Sequence, residues 1–249
     1  MPATSPAVAA ARLRAQLLSH PVAEPEQVVE RLLAVQAQDG RAFRLAVRSR
    51  THGCTARDVD AALTERRSLV VSWLCRGTLH LVRAEDYPWL HALTAPRVVP
   101  GNARRLAQLG VDSAATDRGV AVVVEALADG PRTRDELRGA LDAEGVPTAG
   151  QALVHLLVAA SLREHVVRGP VRDGDHCFVD ARRWLGAVDP PDREAPGGAG
   201  EALPRRARPG GCGRPCGVRR DHAHRGAPRI RADPARDQAV RGRVARAGG

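Results

Sequence analysis

The first part of the chain places apolar residues at helical spacing. A short amphipathic helix is predicted over residues 12–18. A second begins at Pro25, since proline suits a first helical turn, and apolar positions recur every three or four residues from 28 to 35. We expect this helix to run to about Gln38 and to end at Asp39-Gly40, because Asp-Gly favours a turn.

The next stretch predicts a helix followed by a β-hairpin. Thr55 and Asp58 have the spacing of a capping box, which opens a helix through residues 59–63. Residues 68–74 and 79–82 are strand-like, and Arg76-Gly77-Thr78 forms the turn between them. Helices followed by a hairpin are the element order of a winged helix.

The same order returns in the second half. An apolar helix over residues 120–127 ends at the turn 129–131, and Thr133 with Glu136 caps a helix that ends near Gly145. Thr148 and Gln151 predict a third capping box, ahead of a very apolar helix. Residues 162–167 and 177–179 are β-rich and flank a turn over 168–175.

These patterns predict an α+β, mainly helical protein with tandem winged-helix modules and short β-hairpin wings, followed by a disordered C-terminal tail. The expected parts are a first module with two glutamines over residues 1–95, a linker over 96–115, a second module over 116–190 and a tail over 191–249. The linker assignment rests on Pro96 and on Pro100-Gly101.

The basic charge of the chain is concentrated in the tail. Residues 195–249 hold 13 Arg and 4 acidic residues, which is +9 of the net charge of +10. With 11 Gly, 6 Pro and 7 residues of Leu, Ile, Val and Cys, this segment cannot bury enough apolar surface to fold. We interpret it as the product of a frameshift near codon 195; the alternative is a natural arginine-rich arm that binds phosphates.

The cysteines do not form a disulfide pattern. Five cysteines are an odd number, and no secretory leader precedes them, so we expect reduced thiols in the cytoplasm. Cys212, Cys216, His222 and His224 are a weak zinc candidate, because their spacing is not that of a usual finger. The most apolar stretch, residues 152–162, is too short to cross a bilayer, so we expect a soluble protein with no membrane partner.

Candidate chemistry is concentrated at Gln36 and Gln38, which flank Ala37. Residues two apart on a regular helix point about 200° apart, so these glutamines converge on one ligand only if the helix ends there. Alternatively, both glutamines hydrogen-bond the exposed carbonyls of a helix end. We expect Asp39 to be a turn residue and not an acid catalyst.

Two sequence blocks carry a family resemblance. Residues 33–39 read LAVQAQD, and residues 73–80 read WLCRGTLH, followed by LVRAEDY over 81–87. In combination, over residues 10–190, they resemble the bacterial tandem winged-helix DNA glycosylases of the AlkZ type. The resemblance implies that Gln36 and Gln38 are the catalytic Q-x-Q motif and that the partner is damaged double-stranded DNA. Members of that family continue with further winged-helix and β-rich segments where this chain has its tail, so we expect this chain to be a truncated or frameshifted form.

The implied reaction is hydrolysis of the N-glycosidic bond of alkylated or crosslinked purines in DNA repair, without metal or other cofactor. An uncharged carboxamide is a poor general base. An N-alkylated purine is already cationic and leaves readily, so the protein mainly positions water and stabilises an oxocarbenium-like transition state. The alternative is a noncatalytic winged-helix DNA-binding or regulatory protein.

Candidate DNA contacts lie in both hairpins. Trp73 and His80 flank the first turn, and we expect both to pack in the protein; the alternative is that they pack against a nucleotide, and His80 is kept as a candidate DNA contact. The third helix of the second module has no Arg, so we expect it to be buried and not to read bases. The expected phosphate contacts are Arg76, Arg163, Arg168 and Arg172. We expect a monomer associated with the nucleoid.

Overall fold

The computed structural model describes residues 5–186 of the chain. The predicted tail over residues 191–249, with its frameshift and its zinc candidate, lies outside the described residues. The helices are α1 Pro6–Ala15, α2 Pro25–Leu32, α3 Gly40–Arg48, α4 Ala56–Thr64, α5 Tyr87–Gln108, α6 Ser113–Ala126, α7 Arg134–Ala143, α8 Ala152–Leu162 and α9 Ala181–Leu185. The strands are β1 Val35–Gln36, β2 Leu69–Trp73, β3 Leu79–Arg83, β4 Val166–Arg172 and β5 Asp175–Asp180. The α+β, mainly helical fold class is therefore confirmed.

All five strands form one antiparallel sheet in the order β1-β3-β2-β4-β5. The two hairpins, which were expected to be separate wings, join where Val71 of β2 pairs with Arg168 of β4. One face of the sheet packs against the helices α2, α3 and α4 through Val28, Phe43 and Leu63. The opposite face packs against the start of α5.

The same sequence of elements occurs twice around this sheet. In the first half, α2 is followed by the short strand β1, then by α3, α4 and the hairpin β2–β3. In the second half, Arg132 lies between α6 and α7 and exchanges two backbone hydrogen bonds with Phe178 of β5, at 3.0 and 2.7 Å. Helices α7 and α8 and the hairpin β4–β5 follow.

The helix that begins at Pro25 ends earlier than its apolar pattern predicts. It stops at Leu32, and Leu33 has a left-handed backbone with φ of 67° that does not continue a helix. The chain then enters β1. Asp39 does not end a helix; it is the N-cap of α3 and accepts hydrogen bonds from the Arg41 and Ala42 amides at 2.8 Å each. The first helix also differs, since it lies at Pro6–Ala15 and buries no residue.

Two of the three predicted capping boxes are confirmed. The Thr55 amide donates to the Asp58 carboxylate at 2.7 Å, and the Thr133 amide donates to Glu136 at 2.6 Å. The third prediction is wrong, because the Thr148 hydroxyl donates to Asp142 and not to the start of α8. The turn predicted over residues 168–175 is also shorter, since β4 continues to Arg172.

The segment predicted as a linker is part of a long helix. Helix α5 passes through Pro96 and Pro100, both of which are exposed, and ends at Gln108. It packs on α8, where the Asn102 amide donates to the His155 carbonyl at 3.0 Å. A proline inside a helix removes one backbone hydrogen bond and crowds the carbonyl four residues earlier, and packing against α8 offsets this cost.

Candidate active site and nucleic-acid interface

Gln36 is the last residue of the edge strand β1, and Gln38 follows two residues later, beyond the end of that strand. Val35 pairs with Leu81, and the Ala37 amide donates to the Leu79 carbonyl at 2.8 Å, so β-type pairing continues past Gln36. Val35 and Ala37 are buried, whereas both glutamines are exposed. Since residues two apart in a strand point to the same side, the two carboxamides share one exposed face without any helix end.

His80 is the direct neighbour of Gln36 across the sheet. The two residues are paired in the β1–β3 register, which places their Cβ atoms about 5 Å apart. The Nδ1 atom of His80 lies 2.9 Å from the Thr78 carbonyl oxygen. Because a carbonyl only accepts, the neutral ring carries its proton on Nδ1 and keeps a lone pair on Nε2. The half-buried imidazole therefore offers an acceptor beside the glutamine pair.

The turn between β2 and β3 holds Arg76 in an unusual conformation. Arg76 and Gly77 have φ values of 58° and 74°, and the Gly77 amide donates to the Leu74 carbonyl at 2.8 Å. A Cβ atom at Gly77 would lie 3.2 Å from Val98 of α5, so a larger residue there is both strained and crowded. The turn thus presents an exposed Arg76 side chain next to α5.

A groove of about 290 Å³ separates this turn from α5 and α8. On its floor, the Nδ1 atom of His155 lies 2.7 Å from Oδ1 of Asn102. Burial, and to a lesser degree the charge of Arg105, lowers the pKa of His155 from its usual value near 6.5. The lining residues are Arg76, Gly77, Arg97, Val98, Gly101, Asn102, His155 and Val158.

The arginines predicted on the second hairpin are engaged within the protein. Arg163 forms an ion pair with Asp117 at 2.7 Å, and Arg172 forms one with Glu136 at 2.6 Å. The Arg168 guanidinium lies 5.3 Å over the ring of Phe178, and burial lowers its pKa. The structure therefore pairs Gln36 with His80 across β1 and β3 and places Gln38 and Arg76 in the loops that adjoin these strands. The other three arginines lie at the end of α8 and on β4.

Two predictions about packing are confirmed. Trp73 is only 6% exposed and stacks on Phe178 with ring centroids 6.2 Å apart. Helix α8 buries nearly all of its residues, and its exposed N-cap, Gln151, accepts a hydrogen bond from Arg105 at 2.8 Å.

The sequence analysis missed a cluster of half-buried polar side chains between α3, α4 and β5. Arg44 pairs with Asp60 at 2.6 Å, and its guanidinium also lies 3.3 Å from Nε2 of His176. Burial, followed by the charges of Arg168 and Arg44, lowers the pKa of His176 to about 3. No local motif marks this cluster, because its members lie far apart along the chain.

Metal sites, membrane spans and cysteine pairs were also sought among the described residues. Within residues 5–186, no group of three or more His, Cys, Asp or Glu side chains is placed to hold a metal ion. No helix in this part of the chain is long and apolar enough to cross a membrane. Cys54, Cys75 and Cys177 are free thiols.

Comparisons with known proteins point to one family. A family model described as "DNA glycosylase AlkZ-like" matches residues 29–219. The solved structure of Streptomyces sahachiroi DNA glycosylase AlkZ is similar, with a TM-score of 0.58 and 27% sequence identity over 76% of this chain and 52% of that chain. The chain thus spans about half the length of that relative, and no curated protein sequence matches significantly. With the family model matching most of its length, the chain belongs to the AlkZ-like DNA glycosylase family.

Proposed function

We propose that this protein hydrolyses the N-glycosidic bond of alkylated purines in double-stranded DNA, with Gln36 and Gln38 orienting the attacking water. The observation that carries the proposal is that Gln36, at the end of β1, and Gln38, two residues later, are both exposed, whereas Val35 and Ala37 are buried. Family membership supports the reaction class. Crosslinked purines are a further substrate of this type, because they share the N-alkylated base.

The chemistry needs orientation more than strong acid or base catalysis. The bond from the sugar C1′ to the purine breaks with its electron pair moving to the cationic base, which leaves neutral. A water oxygen bonds to C1′ and releases its proton to solvent. The amide oxygens of Gln36 and Gln38 accept hydrogen bonds from this water and face the positive charge that develops on the sugar.

The repeated order of elements supports two winged helices that bind DNA. The first half runs helix, short strand, helix, helix and hairpin, and the second half has the same order with a single bridge residue, Arg132, in place of the short strand. Both β1 and Arg132 pair with the second strand of the hairpin that follows. Because α8 is buried, we propose that the second winged helix supports the fold and does not read bases. We propose that the protein acts as a monomer on damaged DNA, without a cofactor.

A noncatalytic DNA-binding role is the second candidate. It is favoured by the role of Asp39, the acidic residue next to Gln38, because one oxygen of its carboxylate accepts both amide hydrogen bonds that cap α3. Those hydrogen bonds lower the pKa of Asp39, so the group is ionised at neutral pH and has no proton to donate.

Base release from a duplex oligonucleotide with a single 7-methylguanine separates the two roles. We expect the wild-type protein to generate alkali-labile abasic sites, and Gln36→Ala and Gln38→Ala each to lose about 100-fold in rate, a usual cost of removing one catalytic hydrogen-bonding group. Gln16→Ala is the matched control, because Gln16 is an exposed glutamine at the end of α1. Wild-type binding without base release would overturn the catalytic role and favour the second candidate.

A further inference from the structure

Helix α5 contains several arginines and no acidic residue. Its 22 residues include Arg97, Arg104 and Arg105 and not one Asp or Glu. Arg105 is occupied by hydrogen bonds to Gln108 and Gln151. Within residues 5–186, neither Arg97 nor Arg104 has a carboxylate within ion-pair distance, and both side chains are exposed.

Arg97, Gly101 and Arg104 lie on the same face of α5, because they are spaced by four and three residues. The two arginines are about 10 Å apart along the helix axis, which is close enough for them to contact nearby phosphates of one DNA strand. The groove next to the first hairpin adds Arg76, which lines it together with Arg97. Arg76 also has no ion-pair partner in the described part of the chain.

Gly101 has no packing reason to be a glycine. A Cβ atom added there would meet nothing within 4 Å, yet glycine inside a helix costs about 1 kcal/mol relative to alanine. The residue is exposed and sits between the two unpaired arginines. A missing side chain at this point lets a ligand backbone approach the helix closely.

From these observations we infer that the face formed by Arg76, Arg97, Gly101 and Arg104 is a binding track for the phosphate backbone of one DNA strand. The inference rests on the proposed function for its partner and adds the surface on which that partner lies. The turn that carries Arg76 leads directly to Thr78 and His80, beside the glutamine pair. A DNA strand bound along the track would therefore pass close to Gln36 at the end of β1.

The track supplies unpaired positive charge for phosphate contacts, which the arginines in and beside the second hairpin do not. Arg163 and Arg172 would have to break ion pairs with Asp117 and Glu136 before they contact phosphate. Arg97 and Arg104 make no such pairs, so phosphate contacts there displace only water and counterions. The structure thus assigns the main backbone contact to a helix that the sequence predicts as a linker.

The salt dependence of binding to an undamaged duplex tests the track. The variants are Arg76→Asn, Arg97→Gln and Arg104→Gln, singly and combined; asparagine at position 76 tolerates the left-handed backbone. Each single variant is expected to reduce the slope of log K against log salt by about one unit, and the triple variant by about three. Arg163→Gln and Arg172→Gln are the matched controls and are expected to leave the slope within half a unit.

The outcomes separate this inference from the catalytic proposal. An unchanged slope in the triple variant, or an equal loss in the two controls, would overturn the track. Because undamaged DNA is used and Gln36 and Gln38 stay intact, failure of base release leaves this result unaffected. Gly101→Leu gives a second test, since it keeps the charge and fills the open space. It is expected to weaken binding at least tenfold without lowering the melting temperature, and full retention of affinity contradicts the close approach.

Discussion

At the scale of single residues, His176 makes the stability of the folded protein depend on pH. Burial lowers its pKa to about 3, whereas in the unfolded chain the group titrates near 6.5. The folded protein therefore holds His176 neutral over a range in which the unfolded chain takes up a proton. Its contribution to stability is complete above about pH 6.5 and is lost progressively as the pH falls toward about 3.

Replacing His176 with leucine removes this pH dependence. Between pH 7.5 and pH 5, the wild-type free energy of unfolding is expected to fall by about 2 kcal/mol more than that of His176→Leu, from 1.36 kcal/mol for each pH unit below 6.5. Urea unfolding at the two pH values measures the difference. Parallel pH dependence in both proteins would show that His176 is not held neutral.

Asp39 lies next to Gln38, and its role is structural. Asn is as good an N-cap as Asp, whereas Ala cannot accept the two amide hydrogen bonds. We expect Asp39→Asn to keep base release within about threefold of wild type, and Asp39→Ala to lower both the melting temperature and the rate. If the asparagine variant loses as much activity as the alanine variant, the carboxylate takes part in the reaction.

At the scale of elements, features set by residues close together in the chain were predicted correctly more often than features set by contacts between distant residues. The boxes at Thr55 and Thr133 close within one helical turn, so the sequence alone reveals them. Strand β1 is two residues long and is defined by its pairing with Leu81 and His80, far along the chain. The apolar pattern up to Val35 fits a helix as well as a strand, and only the pairing with β3 makes this segment a strand. The glutamines were thus identified from the sequence, but the strand geometry that aligns them was not.

Gly169 of β4 shows how tightly α9 packs on the sheet. A Cβ atom there would lie 2.6 Å from Nε1 of Trp184. We expect Gly169→Ala to destabilise the protein by about 1–3 kcal/mol through overpacking. Gly139→Ala is the control, because Gly139 lies on α7 with open space around it and alanine favours a helix by about 1 kcal/mol. Chemical denaturation measures both, and equal effects at the two positions contradict the packing of α9.

At the scale of the whole molecule, the two halves share a sheet and a buried contact. β2 pairs with β4, and the Ser72 and Ser161 hydroxyls lie 3.1 Å apart in the interior. The sequence predicted the α+β class and the family, both of which are confirmed, from two short blocks and the order of elements. It predicted separate wings because the contact between β2 and β4 leaves no local pattern in either strand.

A shared sheet predicts that residues 5–186 unfold as one cooperative unit. Single-tryptophan proteins that keep Trp73 in β2 or Trp184 in α9 report on the two halves. In each protein, the fluorescence transition in urea is expected to coincide with the loss of far-ultraviolet circular dichroism. A fluorescence transition that precedes the circular dichroism change in either protein indicates halves that unfold independently.

The central claim is that Gln36 and Gln38 act together on one water molecule. Single-turnover rates of 7-methylguanine release by both single variants and by the Gln36→Ala/Gln38→Ala double variant test it most directly. Because groups that act as a unit have non-additive effects, the double variant is expected to be no more than about tenfold slower than either single variant. Wild-type rates in either single variant, or losses that multiply in the double variant, would contradict it.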